Sequence, residues 1–218
     1  GKSRLVAELR ALRDAQPQGR IAWLESRAIS YGQSIPYHPW RQLGRQLIDA
    51  TDMDAAPVVR QKLRDFVARA NLPADTLAYY ETLLAVDTEE SRTALNRVAG
   101  DAVVSGIAGA VIGAIRAAIR SGNDVRPHVL VMDDLHWSDS ATLELIAQVA
   151  TLASVEPLLM VCVLRPDRSA ASWPLVDRLQ VSLGSTFART DLAPLDAPNA
   201  GALLGTLLPI DDLPEQIK

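Results

Sequence analysis

The chain has 218 residues, with 22 basic and 26 acidic side chains, a net charge of −4 and a single cysteine. That length is at the upper end of one domain and ample for a sizeable core, while interspersed charges of both signs argue against a broad basic face for direct nucleic-acid binding. Cys162 lies in an apolar run and reads as a small buried hydrophobe, which excludes a disulfide or a cysteine-built metal site.

The first three residues, Gly1-Lys2-Ser3, are the tail of the pattern G-x-x-x-x-G-K-[ST] and lead straight into an amphipathic run. In such a loop the lysine reaches the β- and γ-phosphates and the serine hydroxyl ligates Mg²⁺. The helix that follows presents free N–H groups to the anion. Gly1, Lys2 and Ser3 are therefore candidate nucleotide-binding residues, and Ser3 is also a candidate metal ligand. The spacing predicts a helix over residues 2–15, with Leu5, Leu9 and Leu12 on its apolar stripe. Gln16-Pro17-Gln18-Gly19 ends it by turn chemistry, and residues 20–28 read as a strand with Arg27 at the carboxyl edge. An arginine in that place either meets phosphate or fixes the loop by an ion pair.

Residues 29–40 form a polar loop punctuated by Pro36 and Pro39, with Tyr37, His38 and Trp40 leading into a helix. The loop reads as a neighbour of the nucleotide or as a rigid turn packed by its aromatic rings. His38 has no second ligand at helical spacing, so a metal role is not supported. Helices are predicted over residues 39–50, 56–71, 73–85, 88–98 and 100–121, which makes residues 41–121 a large helical insertion between strands. The apolar run at residues 102–115 is shorter than a bilayer span of about 20 residues, and Arg116 and Arg120 interrupt its continuation. It reads as a buried helix, with no membrane contact.

The stretch His128-Val129-Leu130-Val131-Met132-Asp133-Asp134-Leu135-His136-Trp137-Ser138-Asp139 passes through unbroken apolar residues and stops on two carboxylates. An unbroken run predicts a strand buried on both faces of a parallel sheet, and such sheets bind ligands beyond their carboxyl ends. Asp133 is placed to hold Mg²⁺ through water and Asp134 to polarise an attacking water, the shape of a Walker B strand. Two such aspartates also occur as a turn and helix cap. Capping is the role read for Asp139, ahead of a helix carrying Leu143, Leu145, Ile146, Val149 and Leu152. Residues 157–164 form a second wholly apolar strand, ending on Arg165-Pro166-Asp167. A helix over residues 172–180, a final strand over 186–192 and a helix from Asp196 to about residue 208 complete the predicted elements.

Gly1-Lys2-Ser3-Arg4-Leu5, Tyr31-Gly32-Gln33-Ser34-Ile35-Pro36-Tyr37-His38-Pro39-Trp40 and Asp133-Asp134-Leu135-His136-Trp137 together resemble one group of P-loop ATPases. These are the AAA-like ATPase modules of STAND signalling proteins, as in bacterial multidomain adenylate or guanylate cyclases and large LuxR-type transcriptional regulators. The resemblance implies an α/β fold, a three-layer P-loop NTPase core with a parallel sheet and a large helical insertion. That core would occupy residues 1–195, and residues 196–218 would begin a helical lid introduced by Leu192-Ala193-Pro194-Leu195. ATP and Mg²⁺ are the implied cofactors, held by Gly1, Lys2, Ser3 and Asp133, with Asp134 and Arg165 in catalytic roles. By resemblance Arg165 is a sensor beside the γ-phosphate; its structural alternative is a turn salt bridge to Asp167. His136 and Trp137 are similar to family residues, with packing of the loop as their structural role.

The strand and glycine-rich loop that the family places ahead of Gly1 do not occur in this sequence, and the lid is barely begun. An unpaired interior sheet edge and impaired folding are therefore expected. The implied function is a slowly hydrolysing ATP switch controlling an attached cyclase, DNA-binding or repeat domain, in the cytoplasm, with homo-oligomerisation left open. The alternatives are a non-hydrolysing, nucleotide-bound interaction scaffold and a degenerate module that binds nothing.

Overall fold

An apolar strand with no polar face is satisfied only in the middle of a sheet covered on both sides, and β2 (His128–Asp133) lies there. In the computed structural model, residues 1–16, 20–31, 34–120, 124–194 and 196–201 are described. β1 (Ala22–Arg27), β2 and β3 (Leu158–Cys162) form a parallel sheet in that order. Register pairs Arg27 with Asp133 and Met132 with Cys162, so the three carboxyl ends finish side by side.

Alternate residues of β2 enter two separate cores. Leu130 and Met132 join Leu24 and Leu158 in the larger one, with side chains from α2 (His38–Leu47), α3 (Ala56–Arg69), α4 (Thr76–Leu83), α6 (Gly100–Ile119), α7 (Ser140–Ala150) and α8 (Trp173–Leu183). Val129 and Val131 join Val163 and a single residue, Val6, of α1 (Lys2–Asp14) in the smaller one. The protein is thus a three-layer α/β structure with one thick and one thin helical layer. The expected stripe on α1 is corrected: Leu5 and Leu12 are exposed and Val6 is the buried residue. The sheet face under α1 offers a narrow valine strip with Ile21, Trp23 and Val161, which one helical side chain covers.

The helical insertion is present as predicted, with α5 (Glu89–Leu95) between α4 and α6. Three of its helices, α2, α3 and α4, stop a few residues short of the expected ends for a shared reason. Asp49, Asn71 and Ala85 adopt left-handed backbone at φ 55, 49 and 54°. The next N–H then reaches back to the last turn, from Ala50, Leu72 and Val86 to Arg45, Val67 and Glu81 carbonyls at 2.8, 3.1 and 2.9 Å. α5 starts with a reciprocal Thr88–Ser91 cap.

α6 runs 20 residues, so the expectation of a run too short for a bilayer is corrected: by length and composition this helix could cross one. Here one face of it is inside the larger core, through Ile107, Val111, Ala114, Ile115 and Ile119. Gly106 makes the packing possible, because a Cβ there would meet the Tyr79 ring at 2.3 Å. Arg116 and Arg120, near the end of α6, hold the buried carboxylate of Glu156 at 2.9 and 2.8 Å, just ahead of β3. Those two guanidinium groups, Arg120 foremost, hold Glu156 below its ordinary pKa of 4.5.

Two further expectations are corrected. Residues 186–192 form no strand: Gly184–Thr186 make a 3₁₀ turn and the segment continues as exposed coil. A strand needs a neighbour, and Arg189 here pairs with Asp191 and lies over the Trp173 ring. Among the described residues the strands are contiguous with no internal gap, and the free edges are the outer sides of β1 and β3. Cys162 is only half-buried by its surroundings, yet burial pushes its thiol up to about 12 and leaves it a poor nucleophile. Of the expected lid, residues 197–201 are helical and residues 202–218 lie outside the described part, as do Gly32, Gln33 and Leu195.

Gly106→Ala forces the Tyr79 ring to move and should destabilise by about 1–3 kcal/mol. Gly109→Ala, with open space around it, should stabilise by up to about 1 kcal/mol; denaturant midpoints of the two variants decide. Glu156 contributes stability that is complete above pH 4.5 and is lost as pH falls through its depressed native value. Glu156→Gln should therefore melt lower than wild type at neutral pH, and the difference should shrink in acid titrations followed by circular dichroism.

Candidate functional site

The parallel register sets the site before any side chain is considered, because it brings the ends of β1, β2 and β3 to one edge. Asp133 closes β2, and its carbonyl extends the ladder by accepting from Ala28 N–H at 2.9 Å. Its carboxylate Oδ1 accepts from Asp134 N–H at 2.8 Å, which leaves Oδ2 with only Arg27 Nε at 4.0 Å. Asp134 then turns into left-handed backbone, φ 58° and ψ 35°, a conformation that aspartate tolerates better than most residues. Leu135 N–H returns to the Val163 carbonyl at 2.9 Å and locks the turn against the exit of β3.

This turn aims Asp134 at Arg27. Arg27 Nε and Nη2 both reach Asp134 Oδ2 at 2.7 Å, and the hydrogen bond and charge of that carboxylate raise the arginine's pKa. Arg27 is held from behind. Gln42 on α2 accepts from Arg27 N–H at 3.0 Å and donates to its carbonyl at 3.4 Å. One turn on, Gln46 does the same for Glu25, at 3.0 and 2.7 Å. The two amides stand where a neighbouring strand would bond the outer edge of β1. An ion pair was one of the two roles expected for Arg27, and it is formed; its partner and the glutamine clasp were not foreseen, and the one sequence signal for the clasp was a pair of glutamines four apart in the helix after β1.

α2 is also tied to the exit of β2. Tyr37 N–H donates to Asp139 Oδ2 at 3.3 Å, and the Trp40 indole donates to the Thr142 carbonyl at 3.2 Å. Asp139 caps α7 as expected, accepting Thr142 N–H at 2.9 Å. Tyr37 pays a backbone cost for its place, with φ 60°.

His136 sits in the 3₁₀ turn Leu135–Trp137, its Nδ1 4.0 Å from Asp134 Oδ1. Burial pushes its imidazole below the ordinary value; Arg165 and Lys2 push the same way, against Asp134 and Asp133. Lys2 and Arg165 thus come within electrostatic reach of His136. Arg165 itself is exposed, and the expected alternative of a salt bridge to Asp167 is not formed, since Asp167 accepts from Ser169 N–H and Oγ instead. Gly1 and Ser3 are exposed at the start of α1, and no described contact joins Ser3 to Asp133.

Could these groups hold a nucleotide and its metal? Among the described residues no cluster of three or more His, Cys, Asp or Glu side chains could hold a metal alone. That suits Mg²⁺, which is held by one or two carboxylates plus substrate phosphates. Buried polar atoms without a partner among the described residues include Ser26 Oγ at the end of β1, both His136 nitrogens and Ser138 Oγ after β2, and Ser172 Oγ at the start of α8; the others, Arg41 Nε, Tyr80 Oη and Glu81 Oε1, lie in the helical insertion. Such orphans are rare in folded proteins and mark places where a further polar partner binds. The residues present fit the group.

A family model described as AAA ATPase domain matches residues 1–161. The chain belongs to the AAA ATPase domain family, whose fold is that of P-loop ATPases. The match ends within β3, short of residue 195 to which the ATPase core was expected to run. No curated protein and no solved structure matches the chain.

Asp139→Ala removes the α7 cap and its bond to Tyr37 together, so it should cost about 1–2 kcal/mol. Asp139→Asn, which keeps an acceptor, should lose much less by chemical denaturation.

Proposed function

We propose that this module binds ATP with Mg²⁺ at the carboxyl edge of the sheet and hydrolyses it slowly as a switch. The observation that carries the reading is the pair at the end of the central strand: Asp133 Oδ2 has only a long ion-pair contact with Arg27, at 4.0 Å, among the described residues, and Asp134 projects from a left-handed turn beside it. Lys2 and Ser3 open α1, whose first N–H groups have no helical acceptor. In this reading Lys2 meets the β- and γ-phosphates, Ser3 and Asp133 hold the metal, and Arg165 stabilises the charge developing on the transferred phosphoryl group. Bound Mg²⁺ would supply charge neutralisation of the phosphates. The switch would act on an attached cyclase, DNA-binding or repeat domain in the cytoplasm, an expectation carried by the resemblance alone.

A second reading has its own support. Asp134 Oδ2 is occupied by two Arg27 contacts, so the acid is not wholly free. A scaffold that holds nucleotide without hydrolysing it, with the helical insertion as its binding surface, accounts for that pairing directly.

Calorimetry of ATP with Mg²⁺ on the native protein tests the site. Lys2→Ala should weaken binding about 10- to 100-fold, the worth of a charge-assisted phosphate contact. Asp134→Asn should bind ATP within about 3-fold of wild type yet turn over at least about 100-fold more slowly. Tight binding without turnover in the wild type selects the scaffold; no binding at all removes both readings.

A further inference from the structure

His136 is a poor packing residue. Its side chain is only 7 % exposed, and neither ring nitrogen has a hydrogen-bond partner. Its one aromatic neighbour, Trp137, lies at 4.9 Å between ring centroids and 43° between planes, which a phenylalanine would satisfy equally well. Burying two unpartnered nitrogens costs free energy that an apolar ring of the same shape would not. Of the two nitrogens, Nδ1 is the one with a charged neighbour, 4.0 Å from Asp134 Oδ1.

That oxygen is the unengaged one. Arg27 occupies Oδ2, while no described group bonds Oδ1. A separation of 4.0 Å is too long for a direct hydrogen bond and is the span of a single water about 2.8 Å from each atom, which a small movement of the closed-in ring must admit. We propose that His136 positions the attacking water: its Nδ1 accepts one water hydrogen while Asp134 Oδ1 accepts the other. This deepens the hydrolysis reading and rests on it. With both hydrogens held, the water's lone pair is free to face the γ-phosphorus. Asp134 Oδ1 takes the proton as the water O–H bond breaks. The new O–P bond forms, and the bond from the γ-phosphorus to the bridging oxygen breaks with its electron pair leaving on ADP. Phosphate then carries the added oxygen, and the proton returns from Asp134 to phosphate or solvent. His136 keeps its own proton on Nε2 throughout. The neutral imidazole required for an accepting Nδ1 agrees with the downward push of burial, Arg165 and Lys2.

The test compares His136→Phe, His136→Asn and His136→Gln with wild type in the native protein, reading three quantities. These are melting temperature without nucleotide, affinity for a non-hydrolysable ATP analogue with Mg²⁺, and steady-state ATP turnover. The Asn amide oxygen falls near the place of Nδ1 and the Gln oxygen near that of Nε2. His136→Phe should melt at or above the wild-type temperature, bind the analogue within about 3-fold and lose about 10- to 100-fold in kcat with KM little changed. His136→Asn should recover part of that loss and His136→Gln should not. Unchanged turnover in His136→Phe, equal recovery by both amides, or a kcat loss that tracks lowered stability or lost analogue affinity overturns the proposal. Its failure is distinct from failure of the underlying reading, in which the wild type itself shows no analogue binding or no turnover, and that result overturns both.

Discussion

The structure depends on a strand that has no polar side. β2 is paired on both edges and buried on both faces, so its neighbours are all decided for it: a strand on each side and a helical layer above and below. Polarity is confined to its two ends, with His128 turned to the Arg126 carbonyl at the start and the aspartates at the carboxyl end. Asp133 and Asp134 stand there because an apolar run of this kind ends in chemistry or in a cap, and the left-handed turn at Asp134 stops it from being a simple cap.

The edge of β1 raises the opposite problem. An outer strand presents unpaired N–H and C=O groups, which elsewhere are shielded by charge, proline or a covering segment. Here Gln42 and Gln46 supply donor and acceptor at the spacing of alternate strand residues, since four residues of helix rise about 6 Å and two residues of strand about 6.6 Å. The same helix is bonded to the start of α7 through Tyr37 and Trp40. α2, the first helix of the insertion, is therefore joined to the exits of both β1 and β2, and it cannot shift without breaking bonds to Arg27 or to the cap that follows Asp134.

Much of this was legible in the sequence. The unbroken apolar runs gave β2 and β3, the helical periods gave every helix of the insertion, and Asp139 announced itself as a cap. What the sequence hid has physical causes. Helices ended early because Asp49, Asn71 and Ala85 do the work usually given to glycine. Residues 186–192 have strand-like composition at their ends, but a strand exists only with a neighbour, which no local pattern reports. The Arg27–Asp134 pair joins residues 107 apart and follows from parallel register, so each partner alone gave no sign of the other.

Strain and unmet polarity are not spread evenly over the molecule. Two of the five left-handed residues other than glycine among the described residues, Tyr37 and Asp134, flank the sheet's carboxyl edge, while the other three end helices. Ser26, His136, Ser138 and Ser172 add orphaned polar atoms to that edge. The helical layer offsets these costs with ordinary packing, through side chains such as Trp40, Leu43, Leu63 and Ile146 that are almost wholly buried. A sequence selected for stability alone would place apolar or capped residues at these positions. Their concentration where a P-loop ATPase does its chemistry is the trade that separates a site from a scaffold. His136 marks it most plainly, because the cheaper phenylalanine would fill the same space.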